Sequence, residues 1–214
     1  MNTQHNIFNQ TQNFSSSMDA MGDGYRRVRD IHTLQYTSSH SQDDTVTTSV
    51  YEEYNSTIEK KVVQSAVKNI SVFDVARAIL QILNKPISTM KLHKLLYYCQ
   101  AWSLVWDEKP LFTEKIEAWA NGPVVRELFN FHKGMFELSI NTFPLGNVER
   151  LDNNQIETIN AVLDFYGDKS AQWLIDQTHF ESPWIMARKG LNSDERGFVE
   201  ISLDSMIEYY SALR

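Results

Sequence analysis

A mainly α fold is predicted: a compact multi-helix domain with a small β-ribbon, preceded by a largely flexible N-terminal extension. Three observations carry that reading. Leu92, Leu95, Leu96, Cys99, Trp102 and Trp106 recur at helical spacing behind Ser88, which is a good N-cap, so the stretch reads as a central helix of roughly five turns. Further apolar stripes with their own capping residues follow it. Before about Thr48 the chain is rich in Asn, Gln, Ser, Thr and Asp and poor in aliphatic residues, too polar to offset the entropy of ordering.

The extension covers residues 1–68. Within it, Tyr25 to Ile31 is a basic and apolar island, Thr45 to Tyr51 alternates as a short strand does, and Tyr51, Tyr54, Ile58 and Val62 are spaced for one face of a short helix over 51–67. The folded domain covers 69–214. It opens at Ser71 and Asp74, a capping-box pair, and Val75, Ala76, Ile79, Ile82 and Leu83 form the buried face of its first helix until Asn84-Lys85-Pro86 ends it. The central helix follows. Lys91, Lys94 and Tyr98 fall off its apolar stripe, which leaves them free for a partner or for solvent.

After a turn at Asp107 to Pro110, Leu111-Phe112 and Ile116 to Trp119 read as the two strands of a ribbon that presents Trp119 to the core. Asn121-Gly122-Pro123 then turns the chain, and Pro123 suits the first turn of a helix carrying Val124, Val125, Leu128, Phe129 and His132. Gly134 and Pro144-Leu145-Gly146 mark an irregular, mobile connection. Asp152 and Gln155 open a helix with Ile156, Ile159, Leu163 and Tyr166 that ends at Gly167. Ser170 caps a short one with Trp173 and Leu174, Ser182-Pro183-Trp184 opens another, and Leu203, Met206, Ile207 and Tyr210 mark the last.

Composition narrows the function. The 214 residues, 42% hydrophobic and 12% aromatic, supply one core and an appendage. A formal charge of −7 disfavours nucleic acid as partner, since that binding draws on clustered Lys and Arg. The single cysteine, Cys99, excludes an internal disulfide and fits a reducing compartment, and no basic-plus-apolar leader or long apolar run points to export or a membrane. Cytoplasm is the expected location.

Reactive constellations are few. His179, Glu181 and Ser182 put a base, an acid and a nucleophile within four positions, yet sequence proximity is weak support for a triad, and a serine before Pro-Trp is explained as a helix cap. The six histidines lack HExxH spacing, and the glycines form no phosphate-binding loop. No catalytic residue, metal site or cofactor is assigned. Lys91, Lys94, Tyr98 and Trp102 are the candidate partner-binding residues, because Tyr and Trp often dominate protein contacts.

Three motifs in order, Lys91-Leu92-His93-Lys94-Leu95-Leu96-Tyr97-Tyr98, Glu117-Ala118-Trp119-Ala120-Asn121-Gly122-Pro123-Val124-Val125 and Thr178-His179-Phe180-Glu181-Ser182-Pro183-Trp184, give this chain its resemblance to the Panacea domain family. That is the SocA-like antitoxin domain, found also in phage-associated GepA-type proteins. The resemblance implies structural roles for Leu92, Leu95, Tyr97, Trp119, Gly122, Pro123, His179, Pro183 and Trp184. It also implies a noncatalytic antitoxin of a toxin-antitoxin system, encoded in a prophage-like locus, that binds the cognate protein toxin of a neighbouring gene. One SocA-like branch acts instead as an adaptor that delivers its toxin to an AAA+ protease. A transcriptional autoregulator and a hydrolase based on His179 are the remaining alternatives.

Overall fold

The computed structural model describes residues 69–213. The readings of residues 1–68, including the helix over 51–67, the basic island and the strand-like run, lie outside the described residues. Seven α-helices make up most of the rest: α1 (Val72–Leu83), α2 (Thr89–Trp106), α3 (Arg126–His132), α4 (Asn153–Tyr166), α5 (Ala171–Thr178), α6 (Ser182–Ala187) and α7 (Leu203–Ser211). Four short strands join them: β1 (Ile87–Ser88), β2 (Ile116–Trp119), β3 (Gly122–Val125) and β4 (Glu137–Leu138). The mainly α class with a small ribbon is borne out.

Helix starts follow the capping chemistry written in the chain. Ser71 and Asp74 close a full capping box on α1, Asp152 and Gln155 close one on α4, and the hydroxyls of Ser88, Ser170 and Ser202 accept from the third residues of α2, α5 and α7. Asn84 ends α1 in the left-handed region at φ 46°, where asparagine is tolerated better than most residues. Ser182 departs from its expected role. The cap position of α6 belongs to Glu181, whose side chain makes no capping bond, and Ser182 is the exposed first residue of the helix.

Helix α2 is the axis of the domain, packed against α1, α4, α5, α7 and β3. Its expected single apolar face is corrected here: every residue from Lys91 to Trp106 is buried. A helix covered on all sides has no solvent face to keep its polar residues, and Lys91, His93, Lys94, Tyr98, Gln100 and Ser103 find partners inside. Gln100 accepts from the Leu111 and Phe112 N–H groups and donates to Phe112 O at 3.1 Å, and Ser103 donates to Lys109 O at 2.9 Å. These bonds hold the loop after α2 against the helix.

The ribbon also differs from expectation. β2 pairs antiparallel with β3, Ile116 opposite Val125 and Trp119 opposite Gly122, rather than with Leu111-Phe112, which lie buried beside α2. Pro123 is therefore in a strand, and the helix expected from that turn begins only at Arg126. The other edge of β2 is covered by residues 199–201 through Ala118 N–H to Val199 O at 2.9 Å and Ile201 N–H to Ile116 O at 2.8 Å. Alternation then buries Ile116 and Ala118 and turns Glu117 and Trp119 outward, so Trp119 is half-buried rather than a core residue. The connection read as irregular contains β4, which pairs with β1 through Ile87 opposite Leu138, and Phe143, which is buried against Phe73 and Phe131.

Candidate functional site

The polar residues of α2 define the interior chemistry. Lys91 Nζ donates to Gly167 O at 2.8 Å and Lys169 O at 2.6 Å, at the end of α4. A helix leaves its last carbonyls without internal donors, and an ammonium there also meets the negative end of the helix dipole. Burial, followed by the neighbouring Lys85 charge, lowers the Lys91 amine below its usual range. Lys94 is enclosed completely and donates to Pro123 O at 2.9 Å. Burial pushes its amine down to about 7.

Gly122 permits that approach. It sits at φ +90°, and a Cβ there would lie 2.6 Å from Lys94 Cε and 2.8 Å from Thr178 Oγ1. The Gly-Pro turn and the lysine of the central helix are thus one device, a backbone carbonyl brought to a buried amine. Tyr98 completes a second. Its hydroxyl donates to Glu181 Oε1 at 3.0 Å, and the Tyr210 hydroxyl from α7 donates to Oε2 at 2.8 Å. Enclosure raises the Glu181 carboxyl to about 7 despite those donors. Tyr98 also stacks on Tyr166 with centroids 3.9 Å apart, and Trp102 on Trp106 at 4.7 Å.

Lys91, Lys94 and Tyr98 were expected to face a partner or solvent, and the structure turns all three inward together with Trp102, the fourth partner-binding candidate. The reason is geometric: a lysine stem is long and apolar, and the carbonyls that receive its head come from elements far along the chain. Among the motif residues, Leu92, Leu95 and Tyr97 are core. His179 closes α5 and stacks on Trp184 at 4.1 Å, Pro183 lies in the first turn of α6, and Trp184 Nε1 donates to Trp119 O at 3.0 Å. His179, Glu181 and Ser182 thus have separate surroundings: one stacked on Trp184, one sealed between tyrosines, one exposed.

His93, inside the first motif, has a defined role. Its Nδ1 accepts from Val125 N–H at 3.2 Å, so the ring proton sits on Nε2 and is donated to His132 Nε2 at 2.8 Å. Burial holds both imidazoles below their usual range, His93 further than His132. The pair ties α2 to α3 and forms part of the floor of an open groove of about 400 Å³, which is also lined by Trp119, Val124, Phe129 and Arg196. Its size falls within the range of binding clefts.

Beside this groove runs a ledge of aromatic rings and arginines that sequence reading missed. Trp119 and Phe129 meet edge to face at 4.8 Å, and Phe198 stands 53% exposed beside them. The Arg196 guanidinium lies 4.2 Å from the Trp119 ring, and that of Arg126 lies 4.7 Å from Phe198. Glu117 fixes the base of the ledge, accepting from Arg126 Nε at 2.8 Å, Arg126 Nη2 at 2.7 Å and Trp119 Nε1 at 2.7 Å. Arg188 holds the segment leading to Arg196, donating to Ala118 O at 3.0 Å, Asn192 O at 2.7 Å and Glu195 O at 2.8 Å. The outward side of β2 was the available signal: Glu117 and Trp119 alternate with two apolar residues.

Residues 92–185 match the family described as antitoxin SocA-like, Panacea domain. Over that span the chain is similar to the Panacea domain. No curated protein and no solved structure matched it. The matched span of the Panacea domain runs from the second turn of α2 to α6, so it contains Lys94, Gly122 and Glu181 but neither α1 nor α7, which supplies Tyr210. Among the described residues no group of three or more His, Cys, Asp or Glu is placed to hold a metal ion, and no helix is long and apolar enough to cross a membrane.

Proposed function

We propose that this chain is a noncatalytic antitoxin that neutralises a cognate protein toxin of a neighbouring gene by direct binding, with residues 69–214 acting as the Panacea domain. The observation that carries the reading is the family match over 92–185. The structure adds support of its own kind. The most characteristic residues of the domain are consumed by its interior, each tied to a carbonyl or carboxylate from another element, which suits a shared scaffold whose exterior selects the partner. The buried, unactivated thiol of Cys99 suits the cytoplasm.

Co-expression of the chain with the product of the adjacent gene tests this. Restored growth together with a stable, stoichiometric complex is the expected outcome. Restored growth with disappearance of the toxin, only when an AAA+ protease is present, replaces inhibition by proteolytic delivery, and failure to restore growth removes the antitoxin reading for that pair.

A further inference from the structure

We infer that the arginine and aromatic ledge on β2 is the toxin-docking face, and that it takes a segment of the toxin bearing a carboxylate next to a bulky apolar side chain. The inference rests on the antitoxin reading above and adds to it the surface and the chemistry of its partner.

Charge complementarity argues for the carboxylate. The chain is acidic as a whole, at −7, yet the ledge sets two guanidinium groups on aromatic faces. Arg126 is already satisfied by Glu117, whereas Arg196 is exposed and has no ion pair among the described residues. Contact with the Trp119 face restrains the Arg196 guanidinium, and a restrained guanidinium presents its N–H fork to a carboxylate at lower entropic cost than a freely moving one. Asp194 lines the same groove but makes no ion pair with Arg196.

The apolar half follows from the groove and from Phe198. A cleft of about 400 Å³ walled by Trp119 and Phe129 has room for a large side chain, and the exposed Phe198 ring meets Trp119 edge to face at 6.3 Å. Trp, Phe and Arg clustered around a concavity are the residue types that dominate protein interfaces. The ledge is also firmly supported: β2 is hydrogen-bonded on both edges, and Glu117 and Arg188 fix the segments that carry the rings. Preorganisation of that kind reduces the ordering cost of binding.

The test uses the full chain and the purified product of the adjacent gene. Arg196→Glu and Phe198→Ser alter exposed side chains, and far-UV circular dichroism with thermal melting checks that both variants keep the fold. Each is expected to weaken the complex by about tenfold or more in titration calorimetry, and Arg196→Glu to lose growth protection, while Lys85→Glu at the end of α1 binds as wild type does. Full-strength binding by both folded variants overturns the docking face and leaves the antitoxin reading standing. No binding by the wild type overturns both. If the variants bind the toxin normally but lose binding to a mixed-sequence single-stranded oligonucleotide, the ledge belongs to nucleic acid and the inference is wrong.

Discussion

Gly122 and Lys94 show how one contact can occupy two sequence motifs. The glycine holds a φ of +90°, and its missing Cβ leaves room for the lysine stem that reaches Pro123 O. Gly122→Ala is expected to cost about 2–4 kcal/mol, from backbone strain together with a steric clash, and to lower the urea midpoint without changing the secondary structure. Lys94 predicts a pH signature. Its amine is at about 7 when folded and 10.5 in the open chain, so between those values the unfolded state holds more protons and stability rises with pH. The full cost of burying the ammonium is present below pH 7 and is relieved as pH climbs towards 10. His93 and His179, which interact with Lys94, are already neutral in that window, both being held below 6.5. Urea denaturation from pH 8 to pH 10 should show wild type gaining on Lys94→Met by up to about 1.4 kcal/mol per pH unit. A parallel pair of curves would place the ammonium in water.

Elements are joined by polar bonds at their ends and by rings between them. Helix α7 packs on α2 and reaches Glu181 through Tyr210, whose ring also lies 5.3 Å from Trp102. Tyr210→Phe keeps the ring and removes the donor. It is expected to destabilise the domain by about 1–2 kcal/mol, because a buried carboxyl then loses one of its two tyrosine partners. Thermal melts of that variant beside Tyr210→Ala separate the hydrogen bond from the packing, the alanine change costing about 3–5 kcal/mol as a large cavity opens. The element starts were legible because capping is local: Ser71 with Asp74, Asp152 with Gln155, and Ser88 each act on amides within three residues. The strands β1 and β4 were not legible, since two residues have no periodicity to read.

At the scale of the whole molecule, the matched span and the folded unit are not the same object. Residues 92–185 leave out α1, which packs on α2 and α4, and α7, which closes over Glu181. A fragment of 92–185 is therefore expected to lose cooperative unfolding, while 69–214 keeps it, and denaturant titration of the two decides the matter. The sequence alone determined the helical class, the central helix, most of its caps and the family resemblance, because these depend on residue spacing and on neighbours along the chain. It also placed Leu92 and Leu95 in the interior. Only the tertiary structure decided which way the polar residues face. Lys91, Lys94 and Tyr98 look like a free face until α4, β3 and α6 bring a carbonyl or carboxylate to each. Trp119 looks like core until β2 pairs with β3 and residues 199–201, which sets its alternation outward beside Arg196. A helix or strand specifies its own geometry through local bonds, but burial is a property of what packs against it, and those partners lie up to 83 residues away along the chain.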